Sequence, residues 1–383
     1  MRAFRFEALR LPPEVERTRH RVREFLRQER EQKRYLPHRT SWATFDADFS
    51  RRAGEAGFIG MTWPKQYGGH ERSNLERFVV TEEMLAAAAP GGAHWVADRQ
   101  SGPQILRHGS ERARREILPR IVRGECYFAI GMSEPDAGSD LAAVRTRADK
   151  APGGWRINGS KVWTSHAHRA HFLIALVRTT PADGNRHAGL TQLIVDMGSP
   201  GIDVRPIRNI AGEHEFNEVV FRDCFVPDDM VVGEPGSGWT MVTGELAFER
   251  GGPDRFMSDF PLLAELVDLV GPAPDRLQAV EIGRLVSHLA ALRRMSSSIA
   301  GLVEQGHSPA LEAALVKDVG NAFERDVPEV ARRLVPVEAS REDEEDRFSD
   351  AMAHVLLHAP SFTIRGGTPE VLRGLIARGL GLR

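Results

Sequence analysis

The chain has 383 residues, 41% hydrophobic and 27% charged, a balance that excludes a disordered or fibrous protein and leaves room for two or three packed domains. Lys and Arg number 51 against 53 Asp and Glu, so the formal net charge of -2 offers no basic field for a nucleic-acid partner. Two cysteines, Cys126 and Cys224, are too few for a thiolate-rich metal site and fit a reducing compartment.

The opening Met1-Arg2-Ala3-Phe4-Arg5 lacks the apolar core of a signal peptide, and Arg, Asp or Gly breaks each apolar run before a membrane-spanning length. A cytoplasmic protein without a membrane span is expected. No HExxH pattern or other pair at metal spacing is found among the 14 histidines, and no metal is expected. His166, His168 and His171 read as a solvated loop.

Residues 1–125 read as helical. Val15, Val22, Phe25 and Leu26 recur at helical spacing with charges between them. Leu75, Phe78, Val79 and Leu85 mark a second helix, which Pro90-Gly91-Gly92 ends. Ser110 starts another before Ile117 and Leu118. From 126 to 232 the apolar residues form short β-like runs. Trp155 and Ile157 alternate with polar neighbours, Asn158-Gly159 predicts a tight hairpin turn, and Val162 and Trp163 follow. Phe172 to Val177, Leu190 to Val195 and Val219 to Phe221 read as strands. From 233 to 383 the helical period returns, with Leu277, Val280, Leu285, Leu289 and Leu292 on one long helix. The charged run from Glu338 to Arg347 reads as an exposed loop or helix start. The predicted fold class is α+β, mostly α. It has a helical N-terminal domain, a middle β domain and a C-terminal four-helix bundle.

The most informative stretch is Ile130-Gly131-Met132-Ser133-Glu134-Pro135-Asp136-Ala137-Gly138-Ser139-Asp140, where helix gives way to sheet. Glycines and small hydroxyl residues let backbone N–H groups approach a ring or a phosphate closely, although ordinary turn chemistry uses the same residues. This stretch resembles the first signature of the FAD-dependent acyl-CoA dehydrogenases. Asn158-Gly159-Ser160-Lys161-Val162-Trp163-Thr164-Ser165 resembles that family's second flavin segment. Trp63 to Gly69, His108-Gly109-Ser110, Leu118-Pro119, Gly124-Glu125, Phe225-Val226-Pro227 and Gly236-Ser237-Gly238-Trp239 match further landmarks. Thr363-Ile364-Arg365-Gly366-Gly367-Thr368, with Glu370 and Leu372-Arg373, is similar to the closing motif. The matches span nearly the whole chain in the family's order.

The resemblance implies FAD between the middle and C-terminal domains. Ile130, Met132 and Ser133 fall at cofactor positions, the last two on the pyrimidine side of the flavin. Gly138 and Ser139 fall near ligand or cofactor phosphates, with Ser139 also toward substrate. Trp163 falls beside the isoalloxazine and Ser165 near N5, although a strand tryptophan is more often core. Leu246 and Gly366 fall at substrate positions. The implied substrate is an acyl-CoA or acyl-carrier-protein thioester, and the implied acceptor is an electron-accepting flavoprotein or another acceptor. Its chemistry removes an α proton while hydride leaves the β carbon. The base is therefore best as a carboxylate whose pKa burial raises toward neutrality. Donors must face the thioester carbonyl as charge builds there.

Two departures matter. Many members carry the catalytic glutamate in the closing motif, where this chain has Gly366, and Arg365 stands where an aromatic is usual. A minority carries the base on a helix directly before an arginine, which corresponds here to Glu249 and Arg250. Glu249 is therefore the candidate base, Arg250 its electrostatic neighbour, and Glu245 the second choice. The Arg-x-Gln-Phe-Gly and Gln-x-x-Gly-Gly stretches through which a dimer partner shares the FAD site are also missing. A homo- or hetero-oligomer, dimer or tetramer, is expected. The alternatives are a weakly catalytic subunit of a mixed complex, and a flavin oxidase or monooxygenase on the same fold.

Overall fold

The computed structural model describes residues 4–382 apart from 183, 343 and 344, and it leaves the side chains of 245–249 outside that description. Helices α1 (Pro13–Glu31), α2 (Ala47–Glu55), α3 (Asn74–Ala86), α4 (Gly92–Val96), α5 (Gly102–His108) and α6 (Glu111–Val122) come first. Strands β1 (Phe128–Gly131), β2 (Arg147–Ala151), β3 (Gly154–Lys161), β4 (Phe172–Arg178), β5 (Leu190–Asp196), β6 (Ile202–Arg208), β7 (His214–Pro227) and β8 (Val231–Val232) follow. Helices α7 (Gly238–Glu249), α8 (Phe260–Val270), α9 (Arg276–Glu304), α10 (Ala310–Leu334), α11 (Arg347–Phe362) and α12 (Pro369–Gly379) complete the chain. Fold class and element order are those the sequence predicts.

The chain folds into two compact units. One comprises residues 1–44, 72–90 and 246–383 and is helical. Val15, Val22 and Leu26 bury one stripe of α1, and Val15 packs with Leu75, Phe78 and Val79 of α3. Ser73 and Glu76 close a capping box at the start of α3, satisfying N–H groups that the first turn leaves free. On α9, Leu285 and Leu292 are buried, but Leu277 and Val280 are exposed, so the apolar period runs beyond what this unit covers.

The other unit comprises residues 45–71 and 91–245 and holds the sheet, in the order β6-β7-β3-β2-β4-β5-β8, with β1 parallel to β4. Residues 173–177 of β4 are all buried, as a central strand of continuous apolar residues requires. The expected hairpin at Asn158-Gly159 is not there. Both residues lie within β3, at a register shift against β7, and the turn is instead Pro152-Gly153 between β2 and β3. Gly159 is needed for close approach: its φ is +143°, and a Cβ would stand 2.6 Å from Thr146 Oγ1.

Candidate active site

In the sheet unit β1 delivers Ile130 to the rim and ends at Gly131. The following Met132 and Ser133 are half-buried. The backbone N–H of Val162 donates to Ser133 O at 2.9 Å, which joins the two predicted flavin segments edge to edge. The Lys161 ammonium, with no exposed surface, donates to Met132 O at 3.1 Å and to Glu134 Oε1 at 2.8 Å. Glu134 also accepts from the backbone N–H groups of Arg145 and Thr146, at 2.6 and 2.9 Å. Burial opposes the Glu134 charge, but Lys161 and these donors hold its pKa below the usual carboxylate range. Burial pushes the Lys161 ammonium down to about 8, despite Glu134. The pair thus pins the loop whose other end carries Gly138 and Ser139, both exposed.

Trp163 is 60% exposed, so it is not a core aromatic. Its φ is +58°, and that of His166 is +52°. A left-handed backbone costs a non-glycine residue about 1–2 kcal/mol, so the surrounding structure must hold this turn. Trp163 meets Phe216 edge-on, with ring centroids 6.0 Å apart, and Ser165 is half-buried beyond it. An open indole face, two hydroxyls and peptide edges form a donor and stacking set that suits a planar heteroaromatic ring such as a flavin. The histidines do not form a solvated loop. His168 stacks on His214 at 3.9 Å, and His171 Nδ1 accepts from Tyr127 N.

In the helical unit α7 ends at Glu249, so the expected helix position is helical. The side chains of Glu245, Leu246 and Glu249 lie outside the described residues. The next residue, Arg250, is buried, and its Nε donates to Gly366 O at 2.8 Å. Gly366 has φ +68°, and a Cβ there would lie 3.2 Å from the guanidinium of Arg255. Arg365 takes an aromatic's place by stacking: its guanidinium carbon lies 4.6 Å from the Phe362 ring centroid and 5.1 Å from that of Trp42. Its Nη2, with two hydrogens to share, lies 2.8 and 3.0 Å from the Glu324 oxygens, 2.6 Å from Ser258 Oγ and 2.8 Å from Asp254 O. Asp259 is fully buried in this cluster; burial and then the Glu324 carboxylate push its pKa well up. Lys317 Nζ donates to Phe362 O at 2.6 Å, and burial, helped by Arg365 and Arg255, pushes its pKa down to about 6. The turn from 362 to 366 is thereby fixed at both ends.

Sequence reasoning quoted Glu134 and Lys161 inside their motifs but gave neither a role. The usable signal was a lysine in the predicted second segment and an acid in the first. Asn217 was missed outright. It occupies a buried position of β7 in register with Val219 and Phe221, where a polar residue needs a partner.

Residues 12–125 match the family described as acyl-CoA dehydrogenase, N-terminal domain, and residues 129–224 match the acyl-CoA dehydrogenase middle domain. The acyl-CoA dehydrogenase IpdE1 of Mycobacterium tuberculosis is 34% identical over 346 residues, covering 87% of this chain and 87% of that protein. The chain belongs to the acyl-CoA dehydrogenase family. FadE34 of the same organism is also 34% identical, over 85% of this chain but only 45% of its own length. Thus the chain spans less than half of that relative. Among solved structures, the Tcur3481-Tcur3483 steroid ACAD superposes at a TM-score of 0.87 with 26% identity, covering 98% of this chain and 100% of that one. The ChsE4-ChsE5 complex from Mycobacterium tuberculosis gives 0.81 and 27%, over 98% and 100%. Acyl-CoA dehydrogenases are flavin-dependent oxidoreductases of CH–CH bonds, and this acyl-CoA dehydrogenase is of that class. No helix among the described residues is long and apolar enough to cross a membrane.

Proposed function

We propose that this acyl-CoA dehydrogenase desaturates an acyl thioester between its α and β carbons, with Glu249 as the base and FAD as the cofactor. The observation that carries the assignment of the base is at the closing motif. Gly366 supplies no carboxylate, a Cβ there would stand tight against the Arg255 guanidinium at 3.2 Å, and Arg365 is committed to Glu324. Arg250 ties the residue after Glu249 to the Gly366 carbonyl, so helix end and closing turn are fixed together. Glu249 takes the α proton, the β hydrogen leaves with its electron pair, and the C=C bond forms between the two carbons. Bound FAD supplies the two-electron acceptor. Ile130, Met132, Ser133, Gly138, Ser139, Trp163 and Ser165 would hold it, Trp163 by stacking and Ser165 by a hydrogen bond. Leu246, Ser139 and Gly366 would border the acyl thioester, which is carried on CoA or an acyl carrier protein. An electron-accepting flavoprotein or another acceptor would then reoxidise the flavin. The division at about residues 125 and 232 and a cytoplasmic location belong to this reading.

A second feature concerns assembly. Two related structures are named as two-protein assemblies, and FadE34 is more than twice as long as its match to this chain. This supports a working unit in which a second acyl-CoA dehydrogenase-like chain completes the site, in place of the missing partner motifs. The name steroid ACAD supports a bulky ring-bearing acyl group. The test is to purify the chain alone and with a co-expressed homologue, and then add a panel of acyl-CoAs without oxygen. Bleaching of a flavin band by ring-bearing thioesters supports the proposal; a flavin band that no thioester bleaches in either preparation contradicts it.

A further inference from the structure

The turn from Trp163 to His166 is left-handed at both ends, and its neighbours must hold it there. What holds it is β7, chiefly through Asn217. Thr164 N donates to Asn217 O at 3.0 Å, and Asn217 Nδ2 donates back to Thr164 O at 2.9 Å. Thr164 is therefore held through both its N–H and its C=O, one group from each of the two peptide units that join Trp163 to Ser165. His166 N donates to Glu215 O at 2.8 Å, two residues along the same strand.

The amide orientation of Asn217 follows from its surroundings. Nδ2 faces two carbonyls, Thr164 O at 2.9 Å and Glu215 O at 3.4 Å, where an oxygen would be repelled. Oδ1 then faces His168 Nδ1 at 3.1 Å and His214 Nε2 at 2.7 Å, so both rings must donate. This sets the tautomers: the proton sits on Nδ1 of His168 and on Nε2 of His214. The rings stack at 3.9 Å with 19° between their planes, which favours a neutral His168. Burial, followed by His214 and Arg169, lowers the pKa of His168 in keeping with this. Asn217 has no exposed surface, and the four contacts use both ends of its amide.

We infer that Asn217, backed by the stacked His168 and His214, is the positioning residue for the flavin-side turn that presents Trp163 and Ser165. This rests on the reading that the turn receives a flavin. Asn217 touches neither ring nor substrate in this account; it acts through the Thr164 peptide. The side-chain amide is needed for its donor and its acceptor at once. Removing only the donor should release the turn even where the histidine contacts survive.

The experiment compares wild type, Asn217→Ala, Asn217→Asp and the control Val226→Ala. Val226 is buried at the far end of the same strand, opposite Trp155, so its truncation weakens the sheet without touching the turn. Hydrogen exchange is followed in peptides covering residues 163–167, and FAD affinity is measured by titrating apoprotein. Asn217→Ala and Asn217→Asp should each speed exchange in that peptide by about tenfold and weaken FAD by about tenfold. Val226→Ala should leave both within about twofold. Equal effects from Asn217→Ala and Val226→Ala, or wild-type behaviour of Asn217→Asp, would overturn the inference. If the wild-type chain takes up no FAD with or without a partner, the flavin reading fails, while the exchange comparison still decides the role of Asn217.

Discussion

The Lys161 ammonium lies 2.8 Å from a Glu134 carboxylate oxygen, with the lysine wholly buried. Each residue sits within a different segment that the resemblance assigns to flavin binding, so the ion pair fixes the spacing of the two. Breaking such a pair from one side leaves a charge in a low-dielectric interior. Lys161→Met should therefore destabilise the fold by about 3–5 kcal/mol and loosen the Met132–Ser133 edge. Urea unfolding and flavin absorbance per chain measure the two effects. Glu134→Gln leaves one oxygen for the two donors Arg145 N and Thr146 N and leaves the Lys161 ammonium buried without its counter-charge, so it should cost about as much.

Moving a base to the commoner position should not work. Gly366→Glu would place a side chain against the Arg255 guanidinium, on a backbone with φ +68°. The new carboxylate would pair with Arg255 instead of facing substrate. In a Glu249→Gln background this substitution should restore no flavin reduction by a thioester. Restored reduction would show that the closing turn has room for a base.

Arg365 should not revert to the family's aromatic. Arg365→Phe keeps a stack on Trp42 and Phe362 but leaves Glu324 and Asp259 buried without their guanidinium. The expected loss is about 3–5 kcal/mol in chemical unfolding. Arg365→Lys should recover only part, because an ammonium that reaches Glu324 has no flat face to lie on Trp42 and Phe362.

His94 predicts an acid limit. It is buried beside Phe49, with Nδ1 3.2 Å from Ser50 Oγ, and burial lowers its pKa from 6.5 to about 4, with Asp98 opposing. Between these values the unfolded chain binds a proton that the folded chain does not. Stability is therefore full above pH 6.5 and falls as pH drops toward 4. The total is on the order of 3 kcal/mol. His94→Asn should flatten the unfolding free energy across that window; an unchanged slope would assign the acid limit to other groups.

The order of elements was legible because helical and strand periods differ and both are written in the apolar residues. The two flavin segments were legible as motifs. Their physical connection was not, because the bond from Val162 N to Ser133 O and the Lys161–Glu134 pair are long-range contacts, and a lysine in one segment with an acid in the other does not by itself say that the two meet. Asn158-Gly159 misled because the dipeptide favours a hairpin turn by itself, whereas here Gly159 serves a close approach to Thr146. Arg365 read as a loss of an aromatic. Only the fold reveals that Trp42 and Phe362 stack on its guanidinium while Glu324 binds its edge.

The central claim is that Glu249 removes the α proton. The direct measurement is anaerobic stopped-flow reduction of bound FAD by a substrate thioester, in wild type and Glu249→Gln, using whichever preparation carries a bleachable flavin. Loss of a general base slows the step by about 10²–10⁴-fold, and thioester binding should survive because size and polarity are kept. Glu245→Gln should change little. Flavin reduction at the wild-type rate in Glu249→Gln would contradict the account.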